Sequence, residues 1–329
     1  MLLAILVILI GFALLAWSAN RFINGAAAFA RHLGISPLIV GMTIVGFGTS
    51  APELVISAIA ALDENTNLAI GNAIGSNIAN IGLVLGFTAI IAPMTIASSI
   101  LKREYPLMLA AMALVYVVLL DGMLGLHEGM ILFACMSAVT AWIVYTGIQE
   151  GRNVPGTSDD ALEAEFESKL ALDDIMSIVE SVFWLLAGGI LLVISSRMLV
   201  WGATAIASSL GISDLIIGLT IIAIGTSLPE IAASITSVLK NENDIAIGNV
   251  LGSNIFNSLG VIGLPAIIHP ATVSTEVLSR DLPVMIGMAI LLDILLYNHK
   301  GKPALSRTSG YSLLSLYIAY IVMLEFQAT

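Results

Sequence analysis

The sequence states one plan twice. GTSAPE, beginning at Gly48, returns as GTSLPE at Gly225; GNAIGSNIAN at Gly71 returns as GNVLGSNIFN at Gly248; LGIS at Leu33 returns at Leu210. Every pair is separated by the same 177 residues, and about half of the positions from Leu33 to Asn80 match their partners without a gap. Fainter matches reach back to Gly11 and Gly188. A chain built this way must form one unit twice and pack the copies together.

Each copy carries five apolar runs of roughly membrane-crossing length. In the first they cover 2–30, 37–62, 66–92, 104–121 and 128–147; in the second, 177–208, 214–239, 243–268, 281–297 and 308–325. Hydrophobic residues make up 58% of the chain and charged ones 11%, far below the roughly 25% charge of soluble domains. Outer-membrane barrels show alternating segments of about ten residues instead. The expected fold is an all-α integral membrane protein with ten transmembrane helices. Five is odd, so the second copy enters the bilayer from the opposite face, giving two inverted five-helix repeats about an axis in the membrane plane.

The expected organisation is a first half over 1–149, an acidic linker over 150–174 and a second half over 175–329. The N-terminal run lacks a basic head and a small-residue cleavage site. It also has an internal counterpart, so it reads as a retained helix and not a signal peptide. Arg31, Lys102, Arg103, Arg152, Lys169, Lys240, Lys300, Lys302 and Arg307 fall in loops on one side, and Arg280 alone on the other. Basic loops face the cytoplasm, so both termini are expected outside and the linker cytoplasmic, in a multi-pass inner-membrane protein. The net charge of −11 is concentrated in the linker, where eight acids meet two bases between Glu150 and Asp174. That stretch reads as a solvated connection; a calcium-sensing role is the alternative. No basic patch suggests nucleic acid. The single cysteine, Cys135, permits no intrachain disulfide.

The repeated motif puts chemistry inside apolar runs. Pro52 has no N–H, so the Gly48 carbonyl loses its helical partner and a kink is expected; Pro229 does the same to Gly225. Freed carbonyls at membrane depth must face protein or a polar cavity. Each proline is preceded by two hydroxyls, Thr49 and Ser50 or Thr226 and Ser227, and followed by a carboxylate, Glu53 or Glu230. One run later, Asn72, Ser76 and Asn80 lie four apart on one helix face, repeated as Asn249, Ser253 and Asn257. All are oxygen donors, the kind a hard cation such as Ca²⁺ takes six to eight of. No nitrogen or thiol ligand suggests zinc or copper. Inversion brings the two carboxylates into one pocket, where a divalent cation, several monovalent cations or protons neutralise them.

These residues resemble the sodium/calcium exchangers of the cation/calcium exchanger superfamily, whose paired α-repeats look like GTSAPE…GNAIGSNIAN and GTSLPE…GNVLGSNIFN; the compact form is that of a prokaryotic member. The resemblance covers nearly the whole chain. It implies electrogenic sodium/calcium antiport by alternating access, usually with three sodium ions per calcium. The two long first helices, here those containing Trp17 and Trp201, would slide past a fixed eight-helix core. It implies Glu53 and Glu230 as ligands shared by calcium and sodium, with Thr49 and Thr226 giving backbone oxygens to calcium. Ser50 with Ser76, and Ser227 with Ser253, would serve flanking sodium sites, and Asn80 and Asn257 the central position. The Ala223 carbonyl contributes too; its partner is Gly46, where the family often has alanine. The potassium-dependent branch has an acid at the position of Asn257, and the proton-coupled exchangers carry GNxxE where this chain has GNAIG and GNVLG.

The expected cargo is Ca²⁺ and Na⁺ in a lipid bilayer, with no cofactor. One chain holds both halves of the site, so a monomer suffices. Proton/calcium antiport on the same fold is the alternative. A cation channel fits less well, because channels usually build a pore from symmetric subunits. An intramembrane enzyme would need a nucleophile with a base or paired acids reached by water; the hydroxyls and freed carbonyls suit ion coordination better.

Overall fold

A computed structural model describes residues 1–96, 98–152, 176–210, 223–297 and 303–328. Most of the acidic linker and the head of the run expected from residue 214 lie outside the described residues, as do Lys169, Lys300 and Lys302. We label the helices α1 (Leu2–Leu33), α2 (Pro37–Leu62), α3 (Thr66–Ile91), α4 (Ser98–Val118), α5 (Leu126–Arg152), α6 (Ile178–Ser209), α7 (Leu228–Leu239), α8 (Asn243–Ile268), α9 (Leu282–Tyr297) and α10 (Arg307–Ala328). Six of these stretches are long and apolar enough to cross a membrane: α1, α2, α3, residues Leu126–Gly147 of α5, α6 and α8.

Local chemistry sets the ends. Gly34 closes α1 in the left-handed region at φ 62°, returning its N–H to the Ala30 and Arg31 carbonyls, a conformation glycine adopts without a Cβ penalty. Ser36 caps α2 ahead of Pro37, which suits the first turn because its missing N–H is not needed there. Ser177 caps α6 by accepting from the Glu180 N–H at 3.2 Å, the sequence pattern of a capping box. Wider π-helical turns occupy Gly41–Val45, Asn80–Leu85 and Asn257–Val261, the last two beginning on the asparagines that end the repeated motif. Single π turns of this kind are frequently found at functional sites.

α1 and α6 run antiparallel and touch reciprocally. A Cβ on Gly25 would lie 2.9 Å from the Ser181 carbonyl oxygen, and one on Gly202 3.0 Å from that of Ala4. A Cβ on Gly11 would meet Leu199 at 3.0 Å, and one on Gly188 would meet Phe22 at 3.0 Å. Each contact maps onto its mate under the 177-residue shift. Small residues permit this approach where lipid supplies no hydrophobic drive between helices. The pair shares a small core with Val40, Val45, Ala233 and Ile245. A larger core unites α3, α4, α8, α9 and α10.

Short contacts tie the loops at the two ends. At one end, β1 (Met94–Thr95) pairs antiparallel with β4 (Ala304–Leu305). There too, Arg31 reaches Glu242 at 3.6 Å and the His32 ring lies 2.8 Å from the Met176 carbonyl oxygen. At the other, β2 (Met123–Leu124) pairs with β3 (Ala271–Thr272), and Thr66 donates to the His269 carbonyl at 2.7 Å.

Candidate functional site

α2, α3, α7 and α8 bring the two motif copies together. The closest crossing is between α2 and α8: a Cβ on Gly252 would fall 2.1 Å from the Met42 carbonyl oxygen, and one on Gly248 2.6 Å from that of Leu38. Glycine is required here because backbone meets backbone. The contact delivers Thr49 to Asn249, where its hydroxyl donates to Oδ1 at 3.0 Å. Thr49 Oγ1 also lies 3.3 Å from Ser253 Oγ, which donates to the Gly46 carbonyl at 3.3 Å. Deeper in, Asn80 Nδ2 donates to Asn254 Oδ1 at 3.3 Å. The Glu230 carboxyl faces that of Glu53 and the Thr49 and Ser50 hydroxyls.

Thr49, Ser50, Glu53, Ser76, Asn80, Ser227, Glu230, Ser253 and Asn257 are buried; Gly46 is buried in α2, and Thr226 is half-buried. Ala223 is the first described residue of the helical stretch Ala223–Thr226 that precedes α7. Ser50 Oγ, Oε2 of both Glu53 and Glu230, and both amide atoms of Asn257 have no hydrogen-bond partner. Buried polar atoms are almost always paired, and leaving a carboxylate oxygen bare at membrane depth is costly. Ser50, Glu53 and Glu230, from both halves, therefore present unsatisfied oxygen to one place, and the donor chemistry fits a hard cation. Among the described residues no three His, Cys, Asp or Glu side chains cluster. The oxygens beyond the two carboxylates are hydroxyl, amide and carbonyl.

The structure adds three particulars to the sequence reading. First, the two copies differ at their prolines: α2 is α-helical through Pro52, with Gly41 and Gly46 packed onto α8 and a π turn just upstream. The break appears only in the second copy, at Ser227, between Ala223–Thr226 and α7. Second, the Gly225 carbonyl accepts from Ser196 of α6 at 2.6 Å, so it faces protein, one of the two surroundings expected for it. Third, Asn72 and Asn249 are engaged in positioning. Asn72 Nδ2 donates to the Glu53 carbonyl at 3.4 Å and to Ser57 at 3.1 Å; Asn249 Nδ2 donates to the Glu230 carbonyl at 3.4 Å and to Ser234 at 3.0 Å.

Several polar residues escaped the sequence reading. Ser57 and Ser234, and Asn77 and Asn254, were legible as further 177-residue pairs. So were two neighbouring ion pairs at helix starts, Arg103 with the buried Glu104 and Arg280 with Asp281, whose Nε–O distances are 2.6 and 2.7 Å. Ser196 had no such signal, because the matching residue is Ala19.

Fold and site together define an all-helical membrane protein in which two copies of one motif close on a buried cluster of oxygens. Comparison with known proteins gives the family. Residues 3–149 and 180–325 match the family described as sodium/calcium exchanger protein, and the chain belongs to that family. It is 40% identical to the inner membrane protein YrbG of Escherichia coli, over 98% of this chain and 97% of that one. It is 30% identical to the sodium/calcium exchanger MaX1 of Methanosarcina acetivorans, covering 97% of each. The solved structure of the sodium-calcium exchanger NCX_Mj superposes with a TM-score of 0.81 at 30% identity, covering 98% of both chains. The chain is thus a compact, prokaryotic-type cation/calcium antiporter of the lipid bilayer; it is not an enzyme and needs no cofactor.

Proposed function

We propose that this chain exchanges sodium for calcium by alternating access, with Glu53 and Glu230 as ligands shared by the two ions. The observation that carries the assignment is the pair of buried carboxylates, one from each motif copy, each with an unpartnered oxygen. Two such charges are tolerable only when neutralised. One Ca²⁺ balances them. Three Na⁺ leave one positive charge, spread over ions held apart by Ser50, Ser76, Ser227, Ser253, Asn80 and Asn257. The Thr49 and Thr226 backbone would complete the calcium shell, and the Ala223 and Gly46 carbonyls would add to the ion site. Because both ions need the same carboxylates, they compete, and competition is what couples their fluxes.

The proposed architecture is ten spans in two inverted halves, 1–149 and 175–329, joined by the linker 150–174. The reciprocal glycine contacts of α1 and α6 support the inversion. The loop contacts support the span count: with ten spans, β1 and β4, Arg31 and Glu242, and His32 and Met176 all fall on one side, while β2 and β3, and Thr66 and His269, fall on the other. Removing one span would set several of these pairs across the bilayer. The basic loops assign the first side to the cytoplasm, leaving both termini outside. Both motif copies lie in one chain, so a monomer completes the site.

Calcium-45 uptake into proteoliposomes, with sodium and proton gradients imposed separately, tests the coupling ion. Uptake should follow an outward sodium gradient. Three-to-one exchange moves one net charge per cycle, worth about 2.3 kcal/mol per 100 mV, so an inside-positive potential should accelerate sodium exit against calcium entry. Uptake that ignores sodium and voltage but follows pH would identify proton/calcium antiport instead, in which protons neutralise the same two carboxylates.

A further inference from the structure

A cavity of about 1680 Å³ opens between the α1–α6 pair and the α2–α5 face. Phe22 and Leu185 form one wall, Gly48 and Ala51 of α2 the other, with Met136 and Thr140 of α5 beside them. It exceeds the roughly 300–1,000 Å³ of ordinary small-molecule pockets. Among the described residues none of those lining it is Asp, Glu, Lys, Arg or His. Its hydroxyls are largely engaged: Thr43 donates to the Ile39 carbonyl at 2.6 Å, Ser137 donates to the Phe133 carbonyl at 3.0 Å, and the Tyr145 hydroxyl accepts from Gln149 at 2.6 Å.

Water enters a cavity when two to four polar partners hold it, and apolar cavities stay dry. An ion would find no charge here. The space is open on one side and its lining is apolar, so the apolar matter of the bilayer has direct entry to it. The mouth is rimmed by Leu186, Ile190 and Ile194, all well exposed, which lie on α6 and continue directly into its bilayer-facing surface. We infer that the cavity holds an acyl chain of a bilayer glycerophospholipid. The chain stands between the α1–α6 pair and the outer face of the motif helix, at Gly48 and Ala51. This inference does not depend on which ion drives transport.

Two measurements test it on the full-length protein. Native mass spectrometry is run after equilibration in mild detergent with palmitoyl-oleoyl phosphatidylglycerol. One phospholipid adduct should survive activation in the unmodified protein and in Val117→Trp, which adds bulk at an exposed apolar position of α4 away from the cavity. Thr140→Trp, or Ile190→Trp at the mouth should the first fail to fold, should lose it. Equal adducts in all variants, or an adduct with the mass of a free fatty acid, would overturn the inference. The second measurement uses Thr140→Cys in a Cys135→Ala background, reconstituted in phosphatidylethanolamine/phosphatidylglycerol vesicles. A charged, water-soluble methanethiosulfonate should label it at least tenfold more slowly than the same protein denatured. Labelling at the denatured rate would make the cavity an aqueous vestibule and sink the proposal.

Discussion

The two motif copies share a sequence plan and differ in shape. In the first, α2 continues through Pro52 and its Gly48 face opens on the apolar cavity beside α1. In the second, the chain breaks at Ser227, and α6 presses against it: Ser196 donates to the Gly225 carbonyl at 2.6 Å, and a Cβ on Gly225 would lie 2.0 Å from Val200 Cγ2. The corresponding Cβ on Gly48 would be 3.4 Å from the Phe22 ring, an ordinary contact. Asparagine behaviour differs too. Asn80 donates to Asn254, whereas both amide atoms of its counterpart Asn257 are unpartnered. One plan in two local conformations is what the proposed inverted repeat would show with access open to one side only. α6 reaches the second copy directly at Gly225, whereas the Gly48 side of the first copy borders the cavity.

The carboxylates are where the halves should be equivalent, and breaking that equivalence has the largest expected effect. Glu53→Gln and Glu230→Gln should each nearly abolish calcium-45 exchange, because one carboxylate cannot neutralise a divalent ion at membrane depth. Each tenfold loss of rate corresponds to about 1.4 kcal/mol. A variant that folds, elutes as the unmodified protein does and retains more than about a tenth of the rate would remove that glutamate from the shared site.

The glycines before the prolines should be unequal. Gly225→Ala drives a methyl into Val200, whose branched side chain has little rotamer freedom. Overpacking of this kind costs roughly 1–3 kcal/mol. Gly48→Ala adds a methyl at ordinary contact distance. Thermal unfolding in detergent should therefore fall for Gly225→Ala and stay near the unmodified value for Gly48→Ala. Equal losses would mean that α6 does not crowd the second copy more than α1 crowds the first.

What was legible in the sequence was whatever symmetry repeats. The five-run halves, the paired carboxylates and the Asn-Ser-Asn face follow from 177-residue spacing and from the cost of polar groups in hydrocarbon. Helix ends were close wherever a local cap fixed them, as at Ser36, Asn65 and Gly34. The conformational difference was not legible. GTSAPE and GTSLPE give the same local instruction, so sequence logic assigns both copies the same kink. Which of them breaks depends on where α6 sits, a tertiary matter. The role of Asn72 and Asn249 was half legible. Their spacing put them on the motif face, but only the structure shows their amides holding the Glu53 and Glu230 carbonyls. Ser196 stayed hidden because it departs from the repeat.

That departure offers the finest test. Ser196 sits where the first half has Ala19, so the halves differ in a donor as well as in shape. Interhelical side-chain hydrogen bonds in membrane proteins average about 0.6 kcal/mol and reach about 1.7. Ser196→Ala should thus raise the opening equilibrium around the Ser227 break by about threefold, read as faster amide exchange over residues 226–231, with little change in overall unfolding. Ser196→Thr keeps the donor and should restore slow exchange. Ala19→Ser should leave exchange over residues 49–54 unchanged, because α2 is continuous through Pro52 and has no break for a donor to close. If Ser196→Ala has no effect, α6 is held against the second copy by packing alone. If Ala19→Ser slows the first copy as strongly as Ser196 slows the second, the difference between the halves lies in that one side chain and not in the conformation.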